Sequence, residues 1–314
     1  MGGRKSKVQV LLSTYNGEKY LAEQLDSLLQ QTHSHLHITI RDDGSTDQTV
    51  NIIQEYIEKY PEKIKLYSEN NIGVVPSFFK LLSDYTYEEA DYVCFCDQDD
   101  VWMPEKLERA AKSLDRGSKN VPMMYVTSTQ MVTEAMEPLN VWPPAPRRQL
   151  SFYNALIENI AVGATIMMNR SAVHKLRSHI PNLEKIVMHD WWAYLVVSAF
   201  GKVIYDDVPS IFYRQHQCNV VGGQLGFKDK WIKKWFNYKK HRREKVLWKQ
   251  AKEFERCWGE AISSELKREL ELFLMPDRAL VNRLKYALST QLYRQSILDN
   301  LVFRLMMIKG DILK

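Results

Sequence analysis

Buried strand patterns and amphipathic helix patterns alternate through the first 100 residues of this chain, at intervals of about 25 residues. The predicted strands are Val8–Ser13, Leu36–Ile40, Ile64–Tyr67 and Asp91–Cys96. Strand–helix alternation of this kind is typical of βαβ units, which build a mostly parallel sheet flanked by helices. We therefore expect a Rossmann-like α/β fold whose ligands bind beyond the carboxyl ends of the strands.

Polar side chains stand at three of these strand ends, and we expect them to share one crevice. The residues are Ser13 and Tyr15 after the first strand, Asp42 and Asp43 after the second, and Asp97 and Asp99 after the fourth. The chain contains no Gly-x-Gly-x-x-Gly and no Walker pattern. A dinucleotide site or a P-loop is therefore not expected.

The fourth strand runs directly into three carboxylates, Asp97, Asp99 and Asp100. Like charges at such spacing raise one another's pKa, and a divalent cation removes that penalty. Magnesium and manganese prefer oxygen ligands and bridge carboxylates to substrate phosphates. We interpret Asp97-Gln98-Asp99 as a metal–diphosphate clamp. The alternative is an acidic turn before a helix that begins near Pro104, with Asp100 close to its cap.

Positive charge is concentrated in one segment of the chain. Residues Lys228–Gln250 hold ten Lys or Arg and two Asp or Glu, a net charge of +8; the whole chain carries +5, which leaves −3 for the rest. Nucleic-acid binding is disfavoured because the charge is local and no reading motif accompanies it. The four cysteines form no metal-binding or disulfide framework. We see no apolar run of about 18 residues and no signal peptide.

The pattern changes near residue 225, beyond which only helical periodicity remains. Leu247, Ala251, Phe254 and Trp258 follow helix spacing, and later leucines do the same. We therefore predict two parts: an α/β domain over residues 1–225 and a basic, amphipathic helical region over residues 226–314.

Three motifs resemble glycosyltransferases of family 2, which have the GT-A fold. They are Val10–Gly17 (VLLSTYNG), Arg41–Asp47 (RDDGSTD) and Phe95–Trp102 (FCDQDDVW), in the family's order and spacing over roughly residues 7–220. Two further motifs, His189–Trp192 (HDWW) and Tyr213–Asn219 (YRQHQCN), are similar to those of bacterial rhamnosyltransferases that build cell-wall rhamnan or O-antigen.

The resemblance implies roles for the residues that would bind the donor. Ser13 and Tyr15 would line the nucleotide pocket, and Asp43 would accept a hydrogen bond from N3–H of uracil or thymine. Asp97 would contact the ribose or a metal-bound water. Asp99 would ligate Mg²⁺ or Mn²⁺. His216 would approach the metal or the diphosphate, together with Arg214 and Asn219.

For the acceptor, the resemblance implies that Asp190 is the general base and that Trp191 and Trp192 contact a sugar ring. Each assignment has a structural alternative. Asp43-Gly44 is a common turn pair, and Asp190 can simply cap its helix. The two tryptophans can be core residues, and His216 an ordinary hydrogen-bonded polar residue.

The chain departs from the family pattern at two places. Residues Val74–Lys80 offer no equivalent of the arginine that the family often places near the nucleobase, and the Gln-x-x-Arg-Trp of processive synthases is absent. We therefore expect the addition of one or a few sugars rather than a long polymer.

The resemblance implies an inverting transfer of L-rhamnose from dTDP-β-L-rhamnose to a saccharide hydroxyl on a lipid-linked acceptor. The alternatives are a UDP-sugar transferase of the same fold and a non-catalytic nucleotide-sugar or glycan-binding scaffold. Trp231, Trp235 and Tyr238 recur at helical spacing within the basic segment, which favours a helix on an anionic membrane. A solvated helix face and a homodimer through the C-terminal helices are the competing interpretations. We expect a cytoplasmic protein, peripheral on the inner face of the cell membrane.

Overall fold

The computed structural model describes residues 6–87, 89–216, 245–275 and 279–310. Contacts divide the chain into two compact units. Unit 1 comprises Met1–Ala145, Ala161–Ser178 and Gly201–Gly223, and unit 2 comprises Pro146–Ile160, His179–Phe200 and Gln224–Lys314. The units interleave along the sequence, so each is built from separate segments.

A seven-stranded sheet forms the centre of unit 1, in the order β10-β6-β9-β4-β1-β2-β3. All its pairings are parallel except those of β9, which runs antiparallel to β4 and β6. The strands are β1 (Val8–Thr14), β2 (Leu36–Asp42), β3 (Ile64–Ser68), β4 (Tyr92–Cys96), β6 (Met123–Thr127), β9 (Met167–Asn169) and β10 (Lys202–Asp206). The expectation of a mostly parallel α/β sheet is confirmed.

Strand β1 lies between two parallel partners in matched register. Leu12 pairs with Ile40 of β2 on one side and with Cys96 of β4 on the other. Because the three strands run in one direction, the turns that follow them emerge at the same edge of the sheet. The polar residues predicted at these strand ends are therefore neighbours.

Helices cover both faces of this sheet, as parallel strands require. The helices of unit 1 are α1 (Leu21–Leu29), α2 (Thr49–Lys59), α3 (Val74–Asp84), α4 (Lys106–Asp115) and α6 (Arg170–Ser178). On one face, Leu21, Leu25 and Leu28 of α1 pack into the main apolar cluster with the even-numbered residues of β1. On the other face, Phe78 of α3 meets Phe95 of β4 with ring centroids 5.4 Å apart.

A second sheet of unit 1 has the order β5-β11-β7-β8, formed by β5 (Val101–Trp102), β7 (Thr129–Val132), β8 (Pro138–Trp142) and β11 (Ile211–Arg214). Strand β11 pairs antiparallel with β5 and parallel with β7. The pairing of β11 with β5 brings a late segment of the chain beside the turn that follows β4. The carboxylates of Asp97 and Asp99 thereby lie close to the end of β11.

The apolar run from Ala161 to Asn169, whose pattern predicts one strand, is not extended for most of its length. Only Met167–Asn169 is extended, because Gly163–Thr165 forms a 3₁₀ turn in which the Thr165 hydroxyl donates to the carbonyl of Val162 at 2.8 Å. Strands β5, β7 and β8 were not anticipated from the sequence. They are short, and β7 begins two positions after the end of β6.

Unit 2 is helical, with α5 (Phe152–Ala155), α7 (His189–Phe200), α8 (Val246–Trp258), α9 (Ser264–Leu274), α10 (Leu280–Ser289) and α11 (Ile297–Lys309). Its core includes Trp192 packed on Phe254, with ring centroids 6.0 Å apart, and Phe200 packed on Trp258. Within the described residues, no helix is both long enough and apolar enough to cross a membrane. The predicted boundary near residue 225 lies outside the described residues and stays a prediction.

The approach of Gly201 to β6 gives a stability prediction. A Cβ at Gly201 would lie 1.8 Å from the carbonyl oxygen of Pro122, a backbone atom that cannot rotate away, at the point where β10 joins β6. We expect Gly201→Ala to lower the free energy of unfolding by about 2–3 kcal/mol. Gly117→Ala is the matched control, because its Cβ would meet chiefly the flexible end of Met123, and its cost should stay under about 1 kcal/mol. Urea denaturation of both variants tests this, and equal costs would contradict it.

Candidate active site

The turn after β1 is fastened to the acidic turn after β4 by two hydrogen bonds. The amide N–H of Tyr15 donates to Oε1 of Gln98 at 2.8 Å, and Nε2 of Gln98 donates to the carbonyl of Tyr15 at 3.1 Å. The Gln98 side chain lies where Gly17 has only hydrogen, since a Cβ there would come within 2.3 Å of Oε1. The middle residue of Asp97-Gln98-Asp99 therefore positions the backbone, while the phenol ring of Tyr15 remains exposed.

Asp43, predicted to meet the nucleobase, is buried at the end of β2 and held by three donors. Its Oδ1 accepts from Arg41 at 2.5 Å and from the amide of Ile72 at 2.8 Å. Its Oδ2 accepts from the amide of Gly73 at 2.8 Å. The carboxylate is thus oriented by groups of unit 1, and a carboxylate oxygen can accept more than one hydrogen bond. Oδ2 can therefore accept a further donor.

Arg41 is a site residue that the sequence analysis missed. Its guanidinium is buried and donates to Asp43, to the Ser77 hydroxyl at 3.0 Å and to Glu69 at 2.9 Å. Ser77 in turn shares a 2.6 Å hydrogen bond with the hydroxyl of Ser13, another predicted nucleotide residue. An arginine inside an apolar strand, two positions before an aspartate on the same face, was the available signal.

Asp42 has a structural part in the same turn. Its carboxylate accepts from the hydroxyls of Thr14 and Ser45 and from the amide of Ser45. Ser45 also accepts from the amide of Asn16 at 2.9 Å, which ties the turn after β2 to the turn after β1. With Asp42 fully buried, these contacts place the neighbouring Asp43.

Asp99 and His216 are the two predicted metal ligands, and they are in contact. Nε2 of His216 lies 2.7 Å from Oδ2 of Asp99. The imidazole stacks on the ring of Tyr20 with centroids 5.2 Å apart and planes 30° apart. An acid from the turn after β4 and a histidine beyond β11 thus meet, although 117 positions separate them in sequence.

The side chain of Arg214, predicted to bind the nucleotide sugar, is buried and directed into unit 1. Its guanidinium donates to the carbonyl of Asp99 at 3.1 Å, to the carbonyl of Glu134 at 2.7 Å and to the carboxylate of Glu23. It also stacks over the Tyr20 ring at 4.6 Å. These contacts make Arg214 a positioning residue that joins Asp99 to the end of β11, two positions before His216.

Beneath the acidic turn, burial shifts two titratable groups in opposite directions. Burial, with the charges of Asp99 and Asp97 adding to it, raises the pKa of the Asp100 carboxyl well above its usual range. Burial lowers the pKa of the Lys106 amine, whose Nζ lies 3.5 Å from the centroid of the Trp102 ring. Each shift favours the neutral form of the group concerned.

The donor set at this turn suits a divalent metal. The described residues contain no ready-made cluster of three or more His, Cys, Asp or Glu ligands for an ion. Mg²⁺ or Mn²⁺ commonly binds through one or two protein groups with substrate phosphates completing the shell. The Asp99 carboxylate and the His216 imidazole form such an incomplete set, with half-buried Asp97 two residues from Asp99.

The predicted acceptor residues all lie in unit 2, on helix α7. Asp190 is half-buried in the first turn, where its Oδ1 accepts from the amide of Trp191 at 2.6 Å. Nε1 of Trp191 donates to the carbonyl of Ala155 at 2.7 Å. Trp192 is completely buried against Phe254, so its ring offers no face to an acceptor in this structure. Trp192 is therefore a core residue, which was the structural alternative for the two tryptophans.

The structure therefore brings together the donor-side residues of unit 1, namely Ser13, Tyr15, Asp43, Asp97, Asp99, Arg214 and His216. Asp190, Trp191 and Trp192 form a separate group in unit 2. Asn219, Trp231, Trp235 and Tyr238 lie outside the described residues.

Comparison with known proteins identifies the family. The sequence profile described as Glycosyl transferase family 2 matches residues 9–177, more than half of the chain. The chain belongs to glycosyltransferase family 2. The dTDP-rhamnosyl transferase RfbG of Shigella flexneri is 30% identical over 232 residues, which cover 70% of this chain and 76% of RfbG. The putative teichuronic acid biosynthesis glycosyltransferase TuaG of Bacillus subtilis is 30% identical, over 62% of this chain and 74% of TuaG.

Solved structures with the same fold are also glycosyltransferases. Residues 1–349 of Staphylococcus aureus TarS, in complex with UDP-GlcNAc, match with a TM-score of 0.61 at 16% identity, over 98% of this chain and 81% of that one. The mannosyltransferase PcManGT of Pyrobaculum calidifontis, in complex with GDP-Man and Mn²⁺, matches with a TM-score of 0.56 at 16% identity, over 98% of this chain and 82% of that one. The GT-A expectation is confirmed.

His189, beside Asp190 in this transferase, gives a pH prediction. Burial lowers the pKa of its imidazole from 6.5 to about 3. Below pH 6.5 the unfolded chain binds a proton that the folded chain excludes, so stability falls as pH falls from 6.5 toward 3. By pH 5 the loss from this group amounts to about 2 kcal/mol.

The test compares urea denaturation of the wild type and of His189→Gln at pH 7.5 and at pH 5. The variant should lose about 2 kcal/mol less than the wild type between the two values, whatever its stability at pH 7.5. Equal losses in the two proteins would show that His189 is protonated in the fold.

Proposed function

We propose that this family-2 glycosyltransferase moves L-rhamnose from dTDP-β-L-rhamnose to a saccharide hydroxyl, with inversion at the anomeric carbon. The observation that carries the donor class is the contact of Asp99 with His216 in the same unit as the oriented carboxylate of Asp43. Asp99 and His216 suit a metal-bound diphosphate, and the Asp43 carboxylate suits a nucleobase N–H. Unit 1 would therefore bind a nucleoside diphosphate sugar through both its nucleobase and its diphosphate.

At the nucleobase end, Asp43 would accept N3–H of thymine or uracil. Arg41 and the amides of Ile72 and Gly73 hold this carboxylate in one orientation. Binding of a base therefore costs less side-chain conformational entropy. Ser13, linked to Ser77, and the exposed ring of Tyr15 would complete the nucleoside pocket. Cytosine has no N3–H, so CDP-sugars are disfavoured.

At the diphosphate end, Asp99 and His216 would hold Mg²⁺ or Mn²⁺, and Asp97 would contact the ribose or a metal-bound water. When bound, the ion stabilises the negative charge of the departing nucleoside diphosphate. Arg214 keeps the Asp99 backbone in place, and Gln98 fastens the same turn to Tyr15. These two side chains act through position alone.

The choice of rhamnose is supported by the likeness to the dTDP-rhamnosyl transferase RfbG. The likeness to TuaG, named for teichuronic acid biosynthesis, supports a part in cell-surface polysaccharide synthesis. A UDP-sugar donor is the second candidate, because TarS of the same fold is in complex with UDP-GlcNAc and because uracil shares the N3–H group.

On the acceptor side, we propose that Asp190 removes the proton of the attacking hydroxyl. It is a half-buried acid in the first turn of α7, followed by two tryptophans. Trp191 is also buried, with 8% of its surface exposed, and remains a proposed acceptor contact through that part, whereas the completely buried Trp192 is assigned to the core. We further propose that the acceptor is lipid-linked and that the basic segment over residues 228–250 contacts an anionic membrane.

A donor screen tests the proposed activity. Purified enzyme with Mn²⁺ and a saccharide acceptor is given dTDP-rhamnose, UDP-glucose, UDP-galactose or UDP-N-acetylglucosamine, and the released nucleotide is measured. Turnover with dTDP-rhamnose alone supports the proposal, and turnover with one UDP-sugar alone establishes the second candidate. Binding of a donor without turnover of any would indicate a scaffold.

The clamp is tested by Asp99→Asn, which keeps the size of the side chain but weakens metal binding. We expect turnover to fall about 10²-fold or more, because metal stabilisation of a leaving group is worth several kcal/mol, and metal-dependent dTDP affinity to fall with it. Asp207→Asn, at an exposed acid of the same unit, is the matched control and should leave both unchanged. Full activity after chelator treatment would contradict the clamp.

Asp190→Asn tests the general base. The amide cannot accept the proton, so turnover should fall by about 10²–10⁴-fold. Calorimetric dTDP affinity should stay near that of the wild type, because the proposed nucleotide contacts belong to unit 1. Glu184→Gln, at an exposed acid of unit 2, is the control. Turnover within a few-fold of wild type would remove Asp190 from the mechanism, and loss of dTDP affinity would point to a structural role.

A further inference from the structure

The last two helices of unit 2 form a hairpin whose outer side is apolar. Their large apolar side chains that remain exposed are Leu280, Val281, Leu284 and Leu288 of α10, and Ile297, Leu298, Leu301, Val302 and Leu305 of α11. Leu288 and Ile297 are 74% and 75% exposed. Apolar patches of this extent are uncommon on monomeric proteins and mark interaction sites. We call this set of nine side chains the hairpin face.

Both helices present these side chains on one side of the hairpin. Arg283 near the start of α10 lies beside Gly310 at the end of α11, and Arg304 donates to the carbonyl of Ala287, so the helices run antiparallel along a line through Ala287 and Arg304. In each helix, the exposed apolar residues lie about a quarter turn around the helix axis from the residue on that line. The direction of this quarter turn, viewed along each helix from its N-terminus, is the same in both helices. In antiparallel helices, equal rotations bring both stripes to the same side.

The opposite side of the hairpin is already used. Tyr286 of α10 and Phe303 and Met307 of α11 are buried. Tyr286 also donates through its hydroxyl to Glu269 of α9 at 2.9 Å. Helix α11 is therefore apolar on two sides, of which one packs within unit 2 and the other is exposed. The exposed side is not needed for the core.

Two exposed lysines, Lys285 and Lys309, border the hairpin face. Residues 279–310 contain five Lys or Arg and a single acid, Asp299, a net charge of +4. Lys285 directly follows Leu284, and Lys309 follows Leu305 by one helical turn; both lysines are exposed. Leucine and isoleucine with lysine at the border, and almost no acid, is the composition of helices that lie in the interface of an anionic bilayer.

We propose that the hairpin face docks on an anionic lipid bilayer, with its nine apolar side chains among the acyl-chain boundary and its lysines among the phosphates. Charge separates this partner from a second copy of the chain. Two hairpins meeting face to face would bring together two segments that each carry a net charge of +4, with Lys285 and Lys309 of each exposed, and like charges across an interface are unfavourable. An anionic surface instead complements them.

This inference goes beyond the proposed function, because lipid binding is measurable without a donor or turnover. It also concerns residues 279–310, which are separate in sequence from the basic segment over residues 228–250. Both the wild type and the variants below retain that segment, so a difference between them reports on the hairpin face alone.

Vesicle co-sedimentation tests the inference. The probes are vesicles of pure phosphatidylcholine and vesicles with about one-third phosphatidylglycerol, an anionic fraction sufficient to give a negative surface potential. Leu288→Glu/Ile297→Glu alters the two most exposed side chains of the face and should weaken binding to anionic vesicles by about 10-fold or more. Val141→Glu/Val208→Glu, at exposed valines of unit 1, is the matched control and should bind like the wild type.

A second variant, Lys285→Gln/Lys309→Gln, tests the electrostatic part. Removal of each lysine should weaken binding to anionic vesicles about 5-fold and leave the weak binding to neutral vesicles unchanged. Thermal unfolding of all three double variants should match that of the wild type, because the altered side chains are exposed. Donor turnover with a soluble acceptor should also be unchanged, which separates failure here from failure of the proposed function.

Three results would overturn the inference. The first is binding of Leu288→Glu/Ile297→Glu to anionic vesicles as tight as that of the wild type. The second is a wild type that binds no vesicle. The third is a lipid-free wild-type dimer in sedimentation velocity that Leu288→Glu/Ile297→Glu converts to monomer without change in vesicle binding, which would assign the face to a second copy.

Discussion

The parallel pairing of β1 with β2 and β4 determines where charge accumulates in this protein. With Leu12 opposite both Ile40 and Cys96, the three chain segments leave the sheet side by side. Apolar side chains fill most of both faces of the strands, and the acids stand where the strands end. The donor-side residues are close because the strands are in register, although they are far apart in sequence.

Buried cations make this concentration of acids tolerable. Arg41 bonds to Asp43 and Glu69 without exposure to water, and Arg214 bonds to Glu23 and to two carbonyls. Burial of a guanidinium is costly unless its donors are satisfied, and removal of one partner of such a pair costs more than the pair contributes. Both arginines therefore stabilise a particular geometry of the acidic turns more than they stabilise the fold.

The sequence predicted the parts that depend on periodicity and on local motifs. The first four strands, their helices and the donor-side acids follow from apolar spacing and from residues placed at strand ends. The contact of His216 with Asp99 required knowledge of the fold, because it depends on the pairing of β11 with β5, a strand of two residues. A strand of two residues is too short to show a periodic apolar pattern in the sequence.

Other features were hidden because one residue type serves two purposes. Arg41 sits in a buried strand, where a cation is normally excluded, and its bonds to Asp43 and Glu69 explain its presence there. Trp192 stands in a motif beside Asp190, yet it packs in the core, and sequence spacing does not distinguish these uses. The 3₁₀ turn at Gly163–Thr165 interrupts an apolar run that reads as a continuous strand.

The fit of Gln98 against Gly17 has an evolutionary consequence. The amide occupies the space of an absent Cβ, and the same amide fastens the backbone of Tyr15. A larger residue at position 17 requires the Gln98 amide to rotate away or position 98 to become smaller, and either change removes the hydrogen bonds to Tyr15. The two positions are therefore coupled although they are 81 residues apart in sequence. A substitution at either position restricts the substitutions that the other can accept.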